Sequence, residues 1–169
     1  MLLTFLQNLM YMVALVAAQL LVFNHVQLFG YATPLPFIYF VLIFPLGTDR
    51  WNILLWGFTC GLLADITAMT PGVGAFAMTL AALIQPPLLQ LLVPKDAPED
   101  LRPGFSTMDL WPYIRYATIL SLVFSLSYFL VLSFSFHHIE ELAISFVSSW
   151  LLTLLLCLIF EGFHKRKNE

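Results

Sequence analysis

All seven Lys and Arg residues of this 169-residue chain fall on one side of a membrane once its apolar stretches are folded as spans. Arg50 follows the second stretch; Lys95, Arg102 and Arg115 lie around the fourth connection; Lys165, Arg166 and Lys167 follow the sixth stretch. The connections between hold none. Lys and Arg are retained on the cytoplasmic side of membrane proteins, so the asymmetry assigns an orientation before any functional residue is considered. The basic residues would keep this arrangement if the second stretch dipped into the membrane and returned; only the N-terminus, which has no Lys or Arg, would change sides.

Hydrophobic residues make up 60% of the chain and charged residues 10%, against roughly 25% charged in a soluble domain. One water-facing core of this size could not hide so much apolar surface, whereas a lipid-bathed bundle has no need to. A span takes about 20 apolar residues, which leaves room for five or six. The expectation is an all-α, polytopic membrane helix bundle of about six transmembrane helices, residues 1–169 forming a single integral membrane domain. The net charge of −3 is segregated and gives no basic surface for nucleic acid. Cys60 and Cys157 both fall in apolar stretches and read as small buried hydrophobes. The first stretch has no basic residue ahead of it and no small-residue cleavage site after it, so it reads as a retained span rather than a signal peptide.

The expected spans run over Leu3–Phe23, Phe29–Leu46, Ile53–Met69, Val73–Val93, Trp111–Phe136 and Leu142–Phe163. Both chain ends are expected in the cytoplasm, with a cytoplasmic loop over about 94–111 and a tail over about 164–169. The second stretch is short and carries Pro34, Pro36 and Pro45. Proline removes a backbone donor, and in lipid the freed carbonyls must be satisfied by neighbours, so this piece should pack against protein. Gly47–Asn52 reads as a polar turn, Pro71-Gly72 as a tight one, and Gln85-Pro86-Pro87 as a kink.

Asp65 reads as the only ionisable residue deep in a span. Placing a carboxyl there costs roughly 2.5–3.5 kcal/mol on insertion scales, so something must compensate: protonation, capping of the Thr70–Gly74 region, or a hydrogen bond to another span. Gly57, Gly61 and Asp65 are spaced by four and share a helix face, with Ala64 and Ala68 beside it. Glycines at this spacing let a second backbone approach closely. With Pro71, Gly72 and Gly74 at the turn, the pattern describes two helices folded tightly together around a polar group.

Ser121 and Ser125 in the fifth span, and Ser145, Ser149 and Thr153 in the sixth, suit close helix contact in the same way. His137, His138, Glu140 and Glu141 read as an interfacial turn, since adjacent histidines point apart and no third His or Cys is near in sequence. Trp51, Trp56, Trp111 and Trp150 read as interface anchors or packing. No nucleophile with a base, phosphate-cradling glycine loop or paired intramembrane carboxylates are recognisable, so no catalytic residue, cofactor or metal is expected.

The run Trp56-Gly57-Phe58-Thr59-Cys60-Gly61-Leu62-Leu63-Ala64-Asp65, followed by Pro71-Gly72-Val73-Gly74-Ala75-Phe76, resembles the signature of the rod shape-determining protein MreD family. Chain length, a proline-containing second span and a short basic tail resemble it too. The resemblance implies a non-enzymatic scaffold of the bacterial inner membrane, involved in cell shape and peptidoglycan synthesis. Its partners would be MreC and, through the same elongasome, MreB, RodA and a penicillin-binding transpeptidase. It implies a six-helix bundle like the substrate-binding subunits of energy-coupling factor transporters. Gly57, Gly61, Asp65, Gly72 and Gly74 would be the helix-contact or partner-binding positions. A vitamin-binding subunit of such a transporter is the alternative; it would need a roomy outward pocket with several converging polar groups.

Overall fold

A computed structural model describes residues 2–19, 21, 34–94, 96–133 and 139–168. Every regular element among them is helical: α1 (Leu2–Ala18), a 3-10 turn (Pro36–Ile38) leading into α2 (Tyr39–Leu42), α3 (Arg50–Ala68), α4 (Val73–Leu92), α5 (Leu110–Ser133) and α6 (Ile139–Asn168). Among the described residues, α3, α4, α5 and the Ala143–Phe163 part of α6 are each long and apolar enough to cross a membrane; α1 is apolar but shorter. The chain is therefore a membrane-embedded helical protein. Consecutive helices α3, α4, α5 and α6 pack side by side, α3 against α4 most extensively.

Two boundaries differ from those expected. α3 already begins at Arg50, with Asp49 as its N-terminal cap residue, so half of the expected Gly47–Asn52 turn is helical. α6 runs through the basic tail to Asn168 rather than ending at Phe163. α4 is one helix from Val73 to Leu92 despite Pro86 and Pro87 inside it.

The second apolar stretch departs furthest from a simple crossing. Its described part holds only the three residues of the 3-10 turn and the four of α2. Residues 34–42 are all buried, Phe40, Val41 and Leu42 completely. A short helix leaves most of its end groups without intrahelical partners, and lipid offers none. Neighbouring side chains fill the gap: Gln19 donates to the Pro34 carbonyl, Tyr116 to that of Leu42 and Gln85 to that of Phe44, at 3.2–3.3 Å. The Leu35 amide donates to Thr153 Oγ1 at 3.2 Å. Irregular backbone inside a membrane protein is tolerated where protein surrounds it, and here four helices do so.

The packing around this plug is aromatic. Phe37 meets Phe124 edge-on at 5.3 Å, and Phe40 lies 6.0 Å from Trp56 and 5.2 Å from Phe44. Tyr113 and Tyr116 are fully buried, as are Cys60 and Cys157, both free thiols.

One end of the bundle is tied together through the 93–109 segment. The amides of Leu46 and Gly47 donate to the carbonyls of Leu101 and Glu99, at 3.0 and 2.8 Å. The Phe105 amide donates to Glu161 near the end of α6. Arg50, at the start of α3, and Arg102, in the loop, lie at this same end. The Met69–Gly72 turn lies at the other.

Candidate functional site

The glycine–aspartate pattern closes on itself. After α3, Met69 adopts a left-handed conformation (φ 55°) and returns an N–H to the Asp65 carbonyl end of the helix. Gly72, at φ 87°, then turns the chain into α4. A positive φ of this kind suits glycine, and no neighbour lies within 4 Å of the Cβ it lacks, so Gly72 is there for its backbone rather than for contact.

That turn points the free amides of the α4 N-terminus at Asp65. Gly74 N–H donates to Oδ1 at 2.7 Å and Ala75 N–H to Oδ2 at 2.9 Å, with the Thr70 hydroxyl donating to Oδ1 at 3.2 Å. The first amides of a helix have no intrahelical acceptor, and the positive end of the helix dipole favours an anion. Asp65 thus caps a helix other than its own. It is 4% exposed, and its burial is balanced by three donors.

Gly61 and Gly57 permit this approach. A Cβ on Gly61 would lie 2.5 Å from the Gly74 carbonyl oxygen and 2.7 Å from the Ala75 Cα, both backbone atoms. On Gly57 it would meet the Ala82 Cβ at 2.9 Å and the Met78 oxygen at 3.2 Å. On Gly74 it would collide with Asp65 Oδ1 at 2.7 Å. Gly57, Gly61, Asp65 and Gly74 therefore form one seam, and the surface that covers the α3 glycine face is α4 of the same chain.

The hydroxyl rows do less than their spacing suggests. Trp150 Nε1 donates to Ser121 Oγ at 3.2 Å, joining α6 to α5. Thr153 supports Leu35 and donates to the Ser149 carbonyl within its own helix. Trp56 is buried against Phe5 and Phe40, whereas Trp51 and Trp111 are largely exposed. His137 and His138 lie outside the described residues.

A second buried carboxylate went unrecognised from sequence. Glu161 is 3% exposed, inside the last turns of the apolar part of α6. It accepts the Tyr39 hydroxyl on Oε2 at 2.9 Å and the Phe105 amide on Oε1 at 3.3 Å. A Cβ on Gly104 would lie 2.5 Å from Oε1, so the loop backbone presses directly on the carboxylate. Glu161 thereby ties α2, the 93–109 loop and α6 together. It falls inside the expected sixth span, Leu142–Phe163, but only two residues from its end, so Asp65 alone reads as deep. The available signal was a lone acid flanked by Phe160 and Phe163.

Glu161 also lines a cavity of about 510 Å³ between the loop, α1 and α2, whose wall includes Tyr11, Tyr39, Ile43, Leu101 and Arg102. Beside Asp65, by contrast, the space inside the bundle between Gln19, Phe37 and Tyr128 is about 30 Å³, on the scale of a single water. The two carboxylates sit at opposite ends of the bundle, and Asp65 also borders a more open space of about 390 Å³ at the hairpin turn, lined by Leu62, Ile66, Met69, Pro71 and Gly72. Neither the known family models, nor the curated proteins, nor the solved structures include a match to this chain.

Proposed function

We propose that this chain is a non-enzymatic membrane scaffold of the bacterial cell-wall elongation complex, acting in the manner of MreD and binding MreC. On this reading it crosses the inner membrane six times, with both ends and the 93–109 loop in the cytoplasm, as a bundle like the energy-coupling factor substrate-binding subunits. The assignment of sides rests on the distribution of Lys and Arg. MreB, RodA and a penicillin-binding transpeptidase would be reached through the same assembly.

The observation that supports the reading is that the residues carrying the resemblance work as a unit. Gly57, Gly61 and Gly74 set the separation of two helices, Gly72 turns the chain between them, and Asp65 caps the second helix. Such a close-packed hairpin suits a structural support. Because α4 fills the glycine face, partner helices would be held elsewhere. α6 is the least covered of the long helices, and Ile144, Val147, Leu151, Leu155 and Ile159 form one exposed stripe along it. A vitamin-binding subunit would take its ligand from the Asp65 side with several converging polar groups; of the two spaces there, one is about 30 Å³ and the other, about 390 Å³, has Asp65 as the one polar side chain among its lining residues, which gives that reading little support.

Co-expression with MreC of the same genome tests the proposal. A complex should survive detergent extraction and size-exclusion chromatography. Leu151→Ala with Leu155→Ala should reduce its yield while leaving the thermal transition of the free protein in place. Recovery of the wild-type chain without MreC would overturn the reading.

A further inference from the structure

The Glu161 cavity has no part in the scaffold reading and is built like a site for an amphiphile. We propose that it binds the headgroup of an aminophospholipid such as phosphatidylethanolamine, with the ammonium on the Glu161 carboxylate and the phosphate on Arg102. Four observations carry this. First, among the described residues the groups that donate to Glu161 are a phenol and a backbone amide, both neutral. A buried carboxylate gains strongly from a cation at hydrogen-bond distance. Second, the volume of about 510 Å³ lies within the roughly 300–1,000 Å³ typical of small-ligand sites.

Third, the charges are mixed. Among the described residues, Arg102 and Asp100 line the cavity with Glu161, two acids and one base. An anionic headgroup would be repelled, whereas a zwitterion presents a cation to the buried acid and an anion to the outer arginine. Fourth, the lining is mixed: Asp100, Arg102 and Glu161 offer charge for a headgroup, while Ile43, Leu101 and the Tyr11 and Tyr39 rings offer apolar surface for the start of an acyl chain. A membrane-embedded chain has such a lipid constantly at hand. Choline carries no N–H to donate to a carboxylate, so the site should distinguish ethanolamine from choline.

Native mass spectrometry of the full chain in detergent, titrated with phosphatidylethanolamine, phosphatidylcholine and phosphatidylglycerol at equal concentration, tests this. The ethanolamine lipid should be retained about tenfold more than either other, the equivalent of one charge-assisted hydrogen bond. Glu161→Gln should abolish the preference over choline, and Arg102→Ala, on the exposed loop, should weaken retention of the ethanolamine lipid several-fold. Should Glu161→Gln fail to fold, the lipid comparison and Arg102→Ala decide the matter. Equal retention of the three lipids, or undiminished retention of the ethanolamine lipid in Arg102→Ala, would overturn the proposal. So would displacement of the lipid by water-soluble glycerophosphoethanolamine at equal concentration, since the occupant would then be a soluble amine.

Discussion

Replacing Gly61 with alanine adds a single methyl group at the tightest point of the α3–α4 seam. The new carbon would sit 2.5, 2.7 and 2.8 Å from the Gly74 oxygen, the Ala75 Cα and the Ala75 nitrogen. Ordinary carbon contacts begin near 3.5 Å, so the helices would have to separate by about 0.8–1 Å. None of the three atoms belongs to a side chain that can swing away. Separation also stretches the hydrogen bonds from the Gly74 and Ala75 amides to Asp65, so the penalty is steric and polar together. Overpacking of this kind costs about 1–3 kcal/mol, partly offset by the gain of up to about 1 kcal/mol that alanine brings to a helix. The expected net loss is about 0.5–2 kcal/mol, read by reversible unfolding in mixed micelles on titration with dodecyl sulfate. Two further alanine substitutions give the scale. Gly57→Ala meets one backbone atom at 3.2 Å and a methyl group at 2.9 Å, and should cost less. Gly162→Ala in α6 meets nothing within 4 Å and should be neutral or stabilising. If Gly61→Ala unfolded no earlier than Gly162→Ala, the close seam would be refuted.

Two other substitutions probe the polar connections. Asp65→Ala leaves the Gly74 and Ala75 amides without their acceptor and should destabilise the protein by about 1–3 kcal/mol, whereas Asp65→Asn, which keeps one oxygen, should cost less; the same unfolding assay ranks them. Tyr116→Phe removes the donor to the Leu42 carbonyl and should cost about 0.6 kcal/mol, the typical value for a membrane-protein hydrogen bond. Amide exchange in α2 should speed up by more than in α3.

The parts legible in the sequence were those set by local spacing. Gly57, Gly61 and Asp65 recur every four residues on one helix, and a four-residue turn brings Gly74 back against them, so the seam follows from periodicity alone. The second stretch was harder. Its prolines announced that neighbours must satisfy its backbone, but Gln19, Gln85, Tyr116 and Thr153 come from four separate helices, and sequence spacing does not relate them. The expected fourth span, Val73–Val93, matches α4 to within a residue, Pro86 and Pro87 lying inside one helix. Glu161 was the least legible residue. Its partners Tyr39 and Phe105 lie 122 and 56 residues away, and without them it is only an acid near the end of an apolar span.

Substituted-cysteine labelling in intact cells tests the membrane arrangement most directly. The native Cys60 and Cys157 are fully buried and should stay silent. A membrane-impermeant maleimide should modify Pro71→Cys, at the hairpin turn, in intact cells, and should modify Ser106→Cys, in the loop beside Arg102, only after the cells are opened. Labelling of Ser106→Cys in unbroken cells would contradict the placement of the basic end inside the cell, and with it the scaffold built upon that placement.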